Sequence, residues 1–169
     1  MNSFANLWQR ISAFLLDYLI LAVYLAVLSA LFFILPNAGS LFDSRIKAQI
    51  LGFLLVTFPI TLYFAISESS KKQGTWGKNR LSLKVTDTDG NRVGFGKSLI
   101  RSTLKFIPWE ISHTLIWEVT FNPELNPIIL NSMLVSVYGL LGANIASLLL
   151  TKTRQTLYDL VCGTYVIKK

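Results

Sequence analysis

Long uncharged runs alternate with short basic ones along this chain, and that alternation predicts most of its architecture. Ile11 to Leu35 is 25 residues long and carries one charge, Asp17. As a helix it extends roughly 37 Å, more than the ~30 Å hydrocarbon core, so a tilted crossing is expected. The run is too long for the apolar part of a signal peptide and ends without a small-residue cleavage site, so it is expected to stay attached. Ala48 to Ser67 has no charge, and Pro59 in its middle predicts a kink. Ile128 to Thr151 is also uncharged. Its Gly139, Ala143 and Ser147 lie four apart, a small-residue face expected to let another helix approach closely.

Phe106 to Phe121 is different. It is 16 residues long and contains Pro108, Glu110, His113 and Glu118. A short crossing, a re-entrant turn and an interfacial helix all fit. Before it, Leu81, Leu83 and Val85 alternate with Ser82, Lys84 and Thr86, the period of a strand. Asp89-Gly90-Asn91 supplies turn chemistry, and Val93 and Phe95 continue on a return strand, which predicts a hairpin. Ser98 to Ile107 opposes Leu99, Ile100, Leu104 and Ile107 to Arg101 and Lys105, the pattern of an amphipathic helix at the headgroups. The expected fold class is an all-α polytopic membrane protein. It has about four transmembrane helices (11–35, 48–67, 106–121 and 128–151) and a cytoplasmic β-hairpin insert over 69–105. Residues 1–169 are expected to form a single membrane domain.

Composition supports this placement. Hydrophobic residues make up 52% and charged residues 15%, against about 25% charged in soluble domains. The net charge of +7 flanks the apolar runs, which marks a cytoplasmic membrane face rather than a nucleic-acid site. Nine Lys and Arg lie between Lys71 and Lys105, four follow Leu150, and none lies between Phe106 and Thr151. Both basic regions then face the cytoplasm, and the stretch between them crosses an even number of times. A helical hairpin does this, with Asn122 to Pro127 outside and both termini inside. Arg45 and Lys47 fall on the outer side against the rule. Cys162 stands alone, so neither an intramolecular disulfide nor a cysteine metal site is expected.

Asp17 is the sharpest candidate for chemistry. It lies roughly 9 Å past the start of the first apolar run, where an ionised carboxylate costs about 2.5–3.5 kcal/mol. It is either a proton or cation site or a carboxylate satisfied by helix contacts. Arg10 shares its helix face two turns earlier and either snorkels to the headgroups or reaches Asp159. Glu68 and Glu110 are the further relay candidates. Glu110 and His113 form a Glu-x-x-His pair, but di-iron bundles need two such motifs and this chain has one histidine, so no metal is expected. A polar crevice of Glu110, His113 and Thr114, reached by Asn131 and Asn144, is the expectation there. Gly74 to Lys78 lacks the Walker spacing and reads as a turn into the strand pair. No nucleophile with a base is present in the pattern, so no enzyme activity and no cofactor are expected.

Three blocks carry a resemblance. Arg10 to Ile20 (RISAFLLDYLI), Gly74 to Arg101 (GTWGKNRLSLKVTDTDGNRVGFGKSLIR) and Arg154 to Ile167 (RQTLYDLVCGTYVI) resemble, in order and spacing, the RDD family of bacterial membrane proteins. The family is named for one arginine and two aspartates, and the resemblance implies that these are Arg10, Asp17 and Asp159. Trp76 stands where the family often has proline, and Tyr158 where histidine is frequent. The resemblance implies a bacterial cytoplasmic membrane and, loosely, sodium/proton exchange. Two readings follow. One is a transporter of protons or monovalent cations, or a subunit of one, forming a homo-oligomer to enclose a path. The other is a scaffold embedded in the lipid bilayer that docks a partner through its basic insert, with no nucleic acid involved.

Overall fold

The apolar runs fold as helices whose ends are set by flanking residues. The computed structural model describes residues 3–169. Helix α1 (Leu7–Ile34) begins at Asn6, whose side chain accepts from the Gln9 N–H while the Gln9 side chain returns to the Asn6 backbone. This pair satisfies two N–H groups that a helix start otherwise leaves open.

Helix α2 (Arg45–Gly52) runs through a π-helical turn at Phe53–Thr57 into α3 (Phe58–Ser69). Proline at 59 has no N–H to give the Leu55 carbonyl four residues back, and the Tyr24 hydroxyl of α1 donates to that oxygen at 2.5 Å. The expected kink is therefore a widened turn tied to the neighbouring helix.

A one-turn helix α4 (Trp76–Arg80) and strand β1 (Leu83–Asp87) follow. Next come α5 (Phe95–Phe121), α6 (Pro127–Leu150), α7 (Leu157–Cys162) and β2 (Thr164–Lys168). Among the described residues, three helices are long and apolar enough to cross a membrane: α1, the α2–α3 rod and α6. Their outward side chains are apolar and bare, as with Phe33 at 92% and Leu150 at 84% exposed. Lipid is the environment that suits such a surface.

Two sequence expectations change here. The interfacial helix 98–107 and the third segment 106–121 are one helix, α5, with Pro108 inside it. It lies antiparallel along the whole α2–α3 rod. Ser98 donates to the Ala65 carbonyl at one end, Glu110 meets Gln49 and Thr57 midway, and Arg45 pairs with Glu118 at the other end. The hairpin is also replaced. β1 pairs antiparallel with β2 from the far end of the chain, with Val85 opposite Val166. The expected return strand keeps one bridge, Thr86 to Arg92, beside a turn in which the Asp87 carboxylate accepts from the Asp89 and Asn91 N–H groups.

The reason for the exchange is burial. Thr164-Tyr165-Val166-Ile167 offers a longer β-branched edge than Arg92-Val93-Gly94, the three residues available before α5 starts. Val166 joins Ala5, Ala13, Leu83, Val85 and Val93 in a buried cluster at this end. A second cluster of Leu21, Ile60, Phe64 and Phe106 lies deeper between the helices. The small-residue face of α6 is open at its glycines: among the described residues, a Cβ at Gly139 or Gly142 would find nothing within 4 Å.

Candidate functional site

The charged residues flagged by the sequence collect mainly where the helices meet the small sheet. Asp17, 1% exposed, points from α1 into α4. Its carboxylate accepts from Thr75 Oγ1 at 2.6 Å, from the Gly77 N–H at 2.8 Å and from Tyr63 Oη at 3.0 Å. Gly77 is essential to this cradle, because a Cβ there would lie 2.0 Å from the Ala13 carbonyl oxygen. The Gly74–Lys78 stretch is thus more than a turn into the strand: it seats a short helix on α1 and surrounds Asp17.

Beside the cradle runs a chain of buried ion pairs. Lys78 Nζ lies 2.6 Å from Glu68, and Glu68 also accepts from Arg101. The Arg101 guanidinium reaches Asp159 at 2.7 and 2.9 Å, and Asp159 accepts from Arg10 at 2.5 Å. Arg10 then donates to the Arg154 carbonyl at 2.6 Å. Asp159 and Glu68 are both fully buried. Burial alone would raise the Asp159 carboxyl, but Arg101 and Arg10 outweigh it and hold Asp159 below the usual carboxylate range. The same carboxylate accepts from the Thr156 N–H at 3.3 Å, at the start of α7. The knot therefore fastens α7, and with it β2, to α1, α3, α4 and α5.

Glu110 and His113 lie elsewhere, roughly 13 Å further along α5 from Arg101. Glu110 accepts from Gln49 and Thr57 at 2.6 Å each, and His113 Nδ1 stands 3.9 Å from Oε2, the oxygen that accepts from Thr57. Both side chains are partly open, at 26% and 21% exposure. Thr57 closes the π-helical turn, so the irregular backbone and the polar pair coincide. Asn144 does not enter this crevice as expected. It donates to the Leu140 carbonyl and accepts from the Leu157 N–H, capping the base of the bundle instead. Thr114 Oγ1 donates to the Glu110 carbonyl of its own helix.

Sequence reasoning did not single out Lys78 or Arg101. The amphipathic pattern puts Arg101 on the polar side of a helix at the headgroups, yet it is 1% exposed. The periodicity gave the correct face of α5 and the wrong direction. The available signal was Glu68, a carboxylate at the end of an apolar run that needs a cation. The two cations that run against the positive-inside expectation also find partners: Arg45 pairs with Glu118, and Lys47 with Asp43 at 2.8 Å.

A family model described as the RDD family matches residues 4–163, a span that takes in the whole knot. The chain belongs to the RDD family. It is also similar to the uncharacterized protein YxaI of Bacillus subtilis (strain 168), 31% identical over 109 residues that cover 57% of this chain and 72% of that protein. No solved structure matches. In this RDD membrane protein Arg10 and Asp159 form one ion pair, while Asp17 sits in the separate cradle of Thr75, Gly77 and Tyr63.

Proposed function

We propose that this RDD protein is a non-enzymatic membrane scaffold, a single domain over 1–169 whose charge knot holds a rigid basic cap on a helix bundle. The observation that carries the reading is the complete use of Asp17. Its oxygens take three donors in a buried cradle, so the carboxylate is committed to holding α4 and Tyr63 against α1. Glu68 is similarly occupied by two cations. On the outer face of the cap, Lys71, Lys72, Arg92, Lys97, Lys152 and Lys168 are free to meet an acidic partner. The positive-inside bias puts that cap and both termini in the bacterial cytoplasm. α5, whose polar side chains pair inward along the α2–α3 rod, is the fourth crossing.

A second reading keeps a path for protons or monovalent cations, carried by Glu110 and His113. The half-open carboxylate and imidazole at a π-helical turn favour it. A homo-oligomer would be needed to enclose such a path. Reconstitution of wild type and Asp17→Asn in sealed vesicles separates the readings, with folding verified first. The scaffold reading expects no proton flux against sodium or potassium from either protein, and a lower melting temperature for Asp17→Asn. Flux from the folded wild type, whether or not Asp17→Asn removes it, would sink it.

A further inference from the structure

A cavity of about 420 Å³ lies between α1 and α6, with α5 as its floor. That volume is within the about 300–1,000 Å³ of ligand sites. Its two ends differ in chemistry. Towards the cap it is lined by Arg10, Lys78, Arg101 and Lys105, against one carboxylate, Asp17, whose donors are already in place. Away from the cap its walls are apolar, among them Phe14, Phe106 and Leu141.

The cations are not equally occupied. Lys78 and Arg101 share Glu68, and Arg10 and Arg101 share Asp159. Among the described residues Lys105 has no carboxylate at ion-pair distance. Its ammonium instead sits 3.6 Å from the centre of the Phe64 ring and 4.9 Å from that of Phe14. Arg10 Nε is buried without a hydrogen-bond partner. A spare cation at the mouth of an apolar cleft, beside a guanidinium with an unpaired donor, is complementary to one kind of molecule, an amphiphile with an anionic head.

We propose that this cleft binds one anionic phospholipid, with its phosphate on Lys105 and Arg10 and an acyl chain against Phe14, Phe106 and Leu141. The site depends on membrane placement and is independent of the scaffold reading: a transporter with the same cleft would hold the same lipid.

The test uses the full chain in neutral detergent, titrated with phosphatidylglycerol, phosphatidylcholine or inorganic phosphate. Native mass spectrometry counts bound lipid, and melting temperature reports protection. One phosphatidylglycerol per chain is expected, bound at least tenfold more tightly than phosphatidylcholine, with no protection by inorganic phosphate. Lys105→Gln should remove the headgroup preference without lowering the lipid-free melting temperature, and Lys105→Arg should restore it. Ile145→Trp, which fills the apolar wall, should block lipid while leaving Lys105 in place. Equal binding of the two lipids by wild type, or an undiminished preference in Lys105→Gln, overturns the proposal. Protection by inorganic phosphate equal to that by phosphatidylglycerol overturns it in favour of a free-anion site. If Lys105→Gln does not fold, Ile145→Trp decides alone: unchanged phosphatidylglycerol binding overturns the site.

Discussion

Glu68 and Glu110 are both carboxylates held inside the helix bundle, and they are held in opposite ways. Glu68 is fully buried between two cations, Lys78 and Arg101. Glu110 keeps 26% of its side chain exposed and rests on two neutral donors, Gln49 and Thr57, with His113 nearby. A carboxylate matched by formal charges cannot gain a proton without stranding a cation, so its pairing acts as structure. A carboxylate matched by neutral donors can change charge at smaller cost. The contrast separates a frame near the cap from a softer polar site within the bundle.

The most damaging way to break this contrast is to remove the shared cation. Arg101→Met keeps length and apolar bulk but leaves Glu68 with Lys78 alone and Asp159 with Arg10 alone. Breaking a buried pair in this way costs about 3–5 kcal/mol. Equilibrium unfolding in detergent should show a loss of that size. Acid should act on the same knot. The depressed Asp159 carboxyl contributes stability that is fully present above its unfolded pKa, about 3.9, and lost as pH falls through the lower folded value. Wild-type melting should stay level between about pH 5 and 7 as far as this group is concerned, and fall below pH 4. A loss under about 1 kcal/mol for Arg101→Met would show the knot to be ornament on a bundle held by packing.

Much of this frame was readable from the chain because its components are local. The lengths of α1, the α2–α3 rod and α6 follow from uncharged runs, and β1 follows from the alternation of Leu83 and Val85 with Lys84 and Thr86. What sequence reading missed is non-local. β1 takes its partner from 164–168 at the other end of the chain, a choice decided by burying Val166 and Ile167 rather than by the turn at Asp89. The inward aim of Arg101 depends on carboxylates supplied by α3 and α7, 33 and 58 residues away. Asp17 was visible as an anomaly, but its cradle was not, because it exists only when Gly77 brings α4 against α1.

That close approach gives the next test, of intermediate size. Gly77→Ala adds a methyl group 2.0 Å from the Ala13 carbonyl oxygen, a backbone atom that cannot swing away. Overpacking of this kind costs about 1–3 kcal/mol, and it should loosen the hydrogen bond from Gly77 to Asp17. Gly96→Ala is the matched control, since a Cβ there meets nothing within 4 Å. Thermal melting should fall for Gly77→Ala and hold or rise for Gly96→Ala. Equal behaviour of the two would mean that α4 can lift off α1 without consequence, and the frame would then lose its Asp17 arm.

The smallest stability effect is expected at Glu110, and it sharpens the comparison because it is small. Glu110→Gln keeps an amide oxygen to accept from Gln49, and its NH2 faces the Thr57 hydroxyl, which can turn from donor to acceptor, so at most one bond is weakened. One partly exposed hydrogen bond is worth about 0.5–1.5 kcal/mol, and removing an ionised group from the bundle returns part of it. The unfolding free energy should therefore move by less than about 1 kcal/mol. His113→Gln should behave alike, since its ring makes no closer ion pair than the 3.9 Å contact with Glu110. Neither change should disturb the cap, which amide exchange across Leu83–Asp87 and Thr164–Lys168 would report. If the ion-path reading is correct, these two folded variants lose vesicle flux at nearly full stability. A destabilisation by Glu110→Gln as large as that of Arg101→Met would instead place Glu110 within the rigid frame, and the distinction between the two carboxylates would fail.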